Sequence, residues 1–158
     1  MRTSLHIRTY EPRDFEQVWA LHREGVLETT PEYPEVMAEY EKDLRAIEET
    51  YLGDGCGFWV AAGPDGLVGM TAIERLDGAT ARLRRMRVTA AWRRQGVAQA
   101  LLDTAEAFCR AQGYRRLVLD TTEHQTAAHA LYERNGFSLK GERNLGKFRI
   151  RDYEKALR

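Results

Sequence analysis

The chain has 158 residues, the size of one domain with a substantial core, so we expect a single domain over residues 1–158. Its 24 basic and 24 acidic residues give a formal net charge of zero, which argues against a general nucleic-acid binder. The two cysteines, Cys56 and Cys109, are too few for a disulfide framework or a metal-binding knuckle, so we expect no metal.

The charges are unevenly distributed along the chain. Residues 11–50 hold 12 acidic and 4 basic side chains, and the remainder holds 12 acidic and 20 basic ones. Two solvated helices would account for this difference. Alternatively, the acidic third attracts a cationic amine while the basic remainder attracts a polyanionic ligand.

The N-terminal third predicts a short strand followed by two helices. Residues 5–8 alternate between apolar and polar side chains, as in an edge strand. Pro12 fits the start of a first helix, which Thr30-Pro31 ends. A second helix is predicted after Pro34, and its apolar face consists of Met37, Tyr40, Leu44, Ile47 and Tyr51.

The next segments predict an antiparallel meander over residues 57–62, 67–74 and 81–88, with turns at residues 64–66 and at Asp77-Gly78. In the last of these strands the apolar phase slips by one residue between Leu83 and Met86. Because a bulge places two residues opposite one, the slip predicts a β-bulge near Arg84-Arg85. Such a bulge would turn the strand away from its next neighbour and free its backbone groups to pair with a strand-like ligand.

A basic loop and a helix follow this strand, reading Arg93-Arg94-Gln95-Gly96-Val97-Ala98 and ending at Gly113. The first turn of a helix has backbone N–H groups without intrahelical partners, and the helix dipole favours an anion there. Together with the small residues and the two arginines, these N–H groups predict a diphosphate cradle. The alternative is that Gly96 only lets the helix pack closely on its strand.

The remaining segments predict a parallel strand, a helix and two antiparallel strands. Leu117-Val118-Leu119 is a continuous apolar run, as in a buried parallel strand. Residues 122–125 have the form of a capping box, and the helix that follows ends at Asn135-Gly136. Residues 137–140 and 148–153 form the two final strands, and Cys109 falls on an apolar helix face as inert packing.

Two linked motifs resemble the GNAT superfamily of acetyl-CoA-dependent N-acetyltransferases. They are the strand and loop over residues 83–98 and the segment Ala128-His129-Ala130-Leu131-Tyr132-Glu133-Arg134-Asn135-Gly136-Phe137. The resemblance covers residues 56–157, whereas the N-terminal third matches no motif. Thr121-Thr122 with Gln125 is similar to the camello-like branch of the superfamily, whose members acetylate free or peptide amines.

The resemblance implies an α/β fold with a mixed, mostly antiparallel sheet of about seven strands. The sheet is split between its fourth and fifth strands and is flanked by about four helices. Residues 11–52 then form the helical acceptor side, with the segment Leu27 to Pro34 in its wall. Residues 56–157 form the acetyl-CoA-binding core.

The resemblance also implies the site residues. Tyr132 protonates the departing thiolate of the cofactor, although it also fits a core tyrosine with its hydroxyl at the rim. Gln125 stands where many members have an asparagine that binds the pantetheine arm, although the capping box explains it equally well. The implied cofactor-binding residues are Met86, Arg87, Val88, Arg93, Arg94, Gln95, Gly96, Val97, Ala98 and Gln125.

The general base is less well defined. A neutral amine is needed for attack on a thioester, so a carboxylate or a water chain must take a proton from the ammonium. Glu74 is the nearest candidate, followed by Glu28 and Glu123, and His124 offers an imidazole. Each of these side chains also fits an ordinary solvated surface position.

The sequence therefore predicts an N-acetyltransferase that uses acetyl-CoA and moves an acetyl group to a primary amine by direct attack in a ternary complex. A regulatory or sensing module that binds acyl-CoA without transfer is the alternative, and the length of the acyl chain stays open. The expected partner is a small-molecule or peptide amine, with no nucleic acid and no membrane. The absence of a signal peptide predicts a cytoplasmic location, and the final strands, which often pair between subunits in this superfamily, suggest a homodimer.

Overall fold

A computed structural model describes residues 5–29 and 37–158. Within these ranges seven strands form one mixed sheet in the order β1-β2-β3-β4-β5-β7-β6. The strands are β1 (His6–Thr9), β2 (Gly57–Gly63), β3 (Gly66–Arg75), β4 (Thr80–Val88), β5 (Arg116–Thr122), β6 (Ser138–Leu145) and β7 (Phe148–Ala156). The helices are α1 (Phe15–Thr29), α2 (Met37–Tyr40), α3 (Lys42–Arg45), α4 (Ile47–Tyr51), α5 (Val97–Gln112) and α6 (Thr126–Arg134), and 3-10 turns cover Pro12–Asp14 and Ala90–Trp92.

The sheet opens between β4 and β5, as predicted. These two strands are parallel and pair only where Thr80, Ala81 and Arg82 meet the start of β5. All the other neighbouring strands are antiparallel. Beyond Arg82 the backbone of β4 therefore has a free edge towards β5. The outer strand β6 is exposed along its length, and a homodimer through the final strands stays a prediction.

The predicted bulge is present in β4. Ala72 of β3 pairs with Arg84, and Met70 pairs with Arg87, so the single residue Thr71 faces both Arg85 and Met86. Arg85 has a φ of 60°, in the left-handed region that residues other than glycine seldom adopt. The bulge is thus centred one residue beyond the predicted position.

The two faces of the sheet carry separate apolar cores. The core beneath α5 and α6 includes Leu101, Leu117 and Tyr153, and the core beneath α1, α3 and α4 includes Val18 and Phe58. Cys109 is fully buried in the first of these cores, as predicted, and burial raises the pKa of its thiol to about 12. Among the described helices, none combines the length and the apolar character that a membrane crossing requires.

The prediction of one continuous helix after Pro34 is wrong. Within the described residues this region forms the short helices α2, α3 and α4, with breaks at Glu41 and Ala46. The breaks let Glu41 and Asp43 turn inwards, where Glu41 bonds His22 and Asp43 bonds Arg85. The predicted helix break at Thr30-Pro31 and the start after Pro34 lie outside the described residues.

The burial of the predicted apolar face is confirmed only in part. Leu44, Ile47 and Tyr51 are buried as expected, whereas Tyr40 is 47% exposed. Tyr40 instead contributes its backbone carbonyl, which accepts a hydrogen bond from Arg85. With three short helices in place of one, the described residues contain six α-helices rather than about four.

Candidate active site

The opening between β4 and β5 leads to two adjacent cavities. The smaller one, here called the β4–β5 cavity, has a volume of about 190 Å³ and lies between residues 83–87 of β4, residues 119–122 of β5, and Tyr132. The larger one, here called the helix groove, has a volume of about 940 Å³ and lies between α1, the loop before α5, and α6. The two cavities share Met86, Arg87, Gln125 and Ala128 in their walls.

Gly96 stands at the start of α5 and lines the helix groove. Its φ of 83° is left-handed, and a Cβ at this position would have no heavy atom within 4 Å. Close packing of α5 therefore does not explain this glycine. Close packing of α5 instead explains the glycine at position 69 in β3. A Cβ there would come within 3.0 Å of Leu101 and 3.1 Å of Val97, both on α5.

The loop before α5 delivers most of the predicted cradle to the groove. Arg93, Arg94, Gly96, Val97 and Ala98 all line it. The first hydrogen bond within this helix runs from the Ala100 N–H to the Gly96 carbonyl, at 3.0 Å, so the preceding N–H groups have no intrahelical acceptor. An anion would be favoured at this end of the helix.

Two polar residues of the loop are engaged elsewhere. Arg93 forms two hydrogen bonds to the Glu28 carboxylate, at 2.7 and 2.5 Å, and donates to the Val88 carbonyl. These bonds lower the pKa of Glu28, which therefore stays ionised and paired. The Gln95 side chain donates to the Ala91 carbonyl at 3.2 Å, and Gln95 lines neither cavity.

Tyr132 of α6 lines the β4–β5 cavity. Its ring packs against Phe137 and Tyr153, with centroids 5.5 and 6.4 Å away, and the residue is 4% exposed. Within the described parts of the chain its hydroxyl has no hydrogen-bond partner. Burial raises the pKa of this phenol, so it carries its proton at neutral pH. Tyr132 is therefore a packed core residue that lines the cavity and has a protonated hydroxyl without a hydrogen-bond partner among the described residues.

The predicted capping box at residues 122–125 is formed only in part. Thr122 is still in β5, where it pairs with Ile150, and α6 begins only at Thr126. The Oε1 atom of Gln125 accepts a hydrogen bond from the Thr122 N–H at 2.9 Å and so closes the turn between strand and helix. Gln125 nevertheless lines both cavities, where the resemblance expected it.

The candidate bases are scattered. Glu74 lines neither cavity and lies 3.8 Å from Arg82 and 3.9 Å from Arg84. Glu123 also lies outside both cavities, beside the exposed His124, which lines the helix groove. The structure therefore does not bring Glu74 or Glu123 together with Tyr132. Both assignments stay predictions.

The β4–β5 cavity has an arginine-rich wall that the sequence patterns do not predict. Arg84, Arg85 and Arg87 all line the β4–β5 cavity, because the bulge changes which side chains of β4 face it. The one carboxylate in this cavity's described wall, that of Asp120, accepts hydrogen bonds from Arg82 and Arg143. The run of arginines at residues 84–87 was the available signal in the sequence.

The contacts of two acidic residues explain part of the uneven charge distribution along the chain. Glu41 and Asp43 come from the acidic third, yet both are buried and bonded to cationic or imidazole partners. They neither form a solvated face nor attract a cationic amine.

Across the described segments, no group of three or more His, Cys, Asp or Glu side chains is arranged to hold a metal ion.

Comparison with known proteins gives consistent matches. The model of the acetyltransferase (GNAT) family matches residues 15–137. Human N-acetyltransferase 8 is 39% identical over 106 residues, which cover 63% of this chain and 47% of that protein. N-acetylaspartate synthetase of Danio rerio is 40% identical over 102 residues, which cover 63% of this chain and 36% of that protein. The match thus spans less than half the length of either relative.

The fold has a similarly clear counterpart. The crystal structure of an acetyltransferase from Streptococcus agalactiae superposes with a TM-score of 0.84 and is 25% identical in sequence. The superposition covers 98% of this chain and 99% of that one. The similarity therefore extends through the N-terminal helical region, where the sequence alone showed no motif.

Proposed function

Because the chain belongs to the acetyltransferase (GNAT) family, we propose that it transfers an acetyl group from acetyl-CoA to a primary amine in a ternary complex. The observation that carries this proposal is the meeting of two cavities at Met86 and Arg87, beside the bulge of β4. One cavity ends at an anion-favouring helix start, and the other contains a protonated tyrosine. The donor would occupy the helix groove and the acceptor the β4–β5 cavity.

The helix groove suits the donor. The N–H groups at residues 94–98 would hold the diphosphate, and the Arg94 guanidinium would add charge. Arg93 shares its charge with Glu28 and so contributes mainly by shaping the loop. The free edge of β4 at Met86, Arg87 and Val88 would pair with the amide groups of the pantetheine arm, as an added strand does.

The reaction then needs few groups from the protein. The acceptor ammonium loses one proton to solvent, and the neutral nitrogen attacks the thioester carbonyl. Backbone N–H groups near Met86 and Val88 would stabilise the developing oxyanion. The C–S bond breaks, the nitrogen loses its second proton as the amide forms, and Tyr132 protonates the thiolate before recovering a proton from solvent.

The cationic wall favours the first of these steps. Guanidinium groups close to an ammonium lower its pKa and so raise the fraction of neutral amine. Of the three arginines that line the β4–β5 cavity, Arg87 has no carboxylate partner among the described residues and would act in this way, whereas Asp43 offsets the charge of Arg84 and Arg85. We therefore place solvent first as the proton acceptor and Glu74 second. A Glu74→Gln variant that lost about 10²-fold or more in kcat would reverse this order.

Two measurements test the proposal. Titration calorimetry with acetyl-CoA should show binding that Gly96→Glu removes, since this substitution puts bulk and negative charge into the cradle. Release of the CoA thiol in the presence of an amine panel should then show transfer. Binding without thiol release on any amine would indicate the sensing module instead, and the absence of binding would overturn the family-based assignment of the groove.

A further inference from the structure

Arg87 is held in one place by packing against α1. A Cβ on Gly25 would stand 2.8 Å from both the Cδ and the Nε atoms of Arg87, so the glycine leaves room for the arginine side chain. The backbone of Arg87 pairs with Met70 immediately after the bulge. The guanidinium is therefore fixed at the point where the two cavities meet.

The guanidinium of Arg87 has no partner among the residues that the structure describes. Its Nε atom is buried and makes no hydrogen bond, and no described carboxylate lies within ion-pair distance. The other arginines of β4 differ in this respect. Arg82 and Arg84 lie within 4 Å of carboxylates, and Arg85 is bonded to Asp43.

The nearest acidic side chains on α1 are already engaged. Glu28 is bonded twice by Arg93, and Glu24 accepts hydrogen bonds from the Thr89 hydroxyl and the Ala90 N–H, both at 2.8 Å. A buried guanidinium is normally retained only where it is paired. Arg87 as a whole is half-buried and adjacent to the proposed reaction site. Its Nε atom is enclosed beside Gly25, so the terminal NH₂ groups, which make no hydrogen bond to a described residue, are the donors that a ligand could meet.

We propose that Arg87 binds the carboxylate of the acceptor, and that the acceptor is an amino acid whose amine and carboxylate lie close together. This inference rests on the proposed function and names its substrate class. A planar guanidinium offers a carboxylate two parallel hydrogen bonds, which fix orientation as well as position. The carboxylate held there would place the neighbouring amine beside the free edge of β4 and the Tyr132 hydroxyl.

The test compares amino acids with their own carboxamides. Phenylalanine and phenylalaninamide, and leucine and leucinamide, differ in one charged group and keep the same side chain. Rates are expressed per neutral amine, because the two forms of each pair have different amine pKa values. The wild-type protein should prefer the acids over the carboxamides by about 100-fold in kcat/KM. This ratio corresponds to the usual contribution of hydrogen bonds to a charged group.

Substitution at Arg87 should remove this preference. Arg87→Gln and Arg87→Met should bring the ratio of acid to carboxamide close to one, mainly through a higher KM for the acid. Arg87→Lys should keep part of the ratio, because it retains charge without the paired donors. Arg82→Gln is the matched control, since Arg82 is on the same strand but lines neither cavity, and it should keep the full ratio.

The outcomes separate this inference from the proposed function. Acetyl-CoA binding with equal rates on acids and carboxamides would overturn the role of Arg87 and leave the transferase assignment standing. Weaker acetyl-CoA binding in Arg87→Gln with an unchanged ratio would also overturn it, by showing that the guanidinium contacts a phosphate of the donor. No acetyl-CoA binding by the wild type would instead overturn the proposed function.

Discussion

Asp43 of α3 and Arg85 of the β4 bulge are joined by two charge-assisted hydrogen bonds, of 2.5 and 2.9 Å. Their side chains are 8% and 11% exposed, and Asp43 also accepts a hydrogen bond from Tyr51. Arg85 holds the left-handed φ of the bulge, which costs a residue with a side chain about 1–2 kcal/mol. The helical region therefore clamps the backbone that we assign to the reaction centre.

Removing the carboxylate should destabilise the protein strongly. Asp43→Ala leaves Arg85 buried without its counterion, and we expect the free energy of unfolding to fall by about 3–5 kcal/mol. Urea denaturation measures this change. Lys42→Ala is the control, because Lys42 forms an exposed pair with Glu39 and should cost no more than about 1 kcal/mol. Equal effects of the two substitutions would show that the buried pair does not clamp the bulge.

This clamp also shows where sequence reasoning stops. The phase slip between Leu83 and Met86 was enough to predict the bulge, because strand periodicity is a local property. The partner of Arg85 is 42 residues away, and nothing in a local pattern selects one carboxylate of an acidic region over another. The apolar spacing correctly predicts the burial of Leu44, Ile47 and Tyr51, but it gives no sign that the neighbouring Asp43 also turns inwards.

Glycine positions illustrate the same limit. The sequence placed Gly96 at a helix start, and the structure confirms this position. The sequence pattern does not reveal that Gly69, on β3, is the glycine that lets α5 pack closely. The contact between Gly69 and α5 joins elements that are far apart in the sequence. Capping signals depend on where the preceding strand ends. The local pattern therefore predicts a helix cap at Thr122, although this residue is paired in β5.

Gly96 and Gly113, at the two ends of α5, form a matched pair for testing the cradle. Their φ values are 83° and 85°, and a Cβ at either would have no heavy atom within 4 Å. Alanine at either position should therefore cost a similar free energy of unfolding, about 1–2 kcal/mol. Only Gly96→Ala should weaken acetyl-CoA binding in calorimetry, because only Gly96 lines the helix groove. Similar affinities of the two variants would argue against the cradle.

Tyr132→Phe should lower kcat by about 100-fold with little change in the affinity for acetyl-CoA, because the phenol acts only when the thiolate leaves. Folding should be preserved, since the hydroxyl makes no hydrogen bond to the described residues. The raised pKa of Tyr132 further predicts that kcat does not fall up to about pH 10, the usual pKa of a free phenol.

Tyr153→Phe is the control for this prediction. Tyr153 packs against Tyr132, but its hydroxyl donates to Glu133 and the residue lines neither cavity. Its substitution should affect stability more than turnover. A large loss of acetyl-CoA affinity in Tyr132→Phe, or comparable losses of kcat in both variants, would contradict the role of Tyr132 as the general acid.

His22 should make the stability of the protein fall below neutral pH. It is 1% exposed, and burial lowers its pKa from 6.5 to about 4 despite the hydrogen bond with Glu41. Between these values the unfolded chain binds a proton that the native state does not, so the free energy of unfolding falls as the pH falls, by up to about 1.4 kcal/mol per pH unit. Urea denaturation from pH 7 to pH 4.5 measures this slope. The slope should be reduced in His22→Gln, and an unchanged slope would assign it to other groups.

Arg87→Met should make the protein more stable while it impairs the reaction. The substitution replaces a half-buried charge that has no described partner by an apolar side chain of similar length, and we expect the free energy of unfolding to rise by about 1–3 kcal/mol. Arg82→Met should not raise the free energy of unfolding, because Arg82 is ion-paired with Asp120.

Thermal denaturation with added phenylalanine completes the test, since a ligand that binds the native state raises Tm. The amino acid should raise the Tm of the wild type but not that of Arg87→Met, and a less stable variant would show that Arg87 is a structural residue with its charge satisfied.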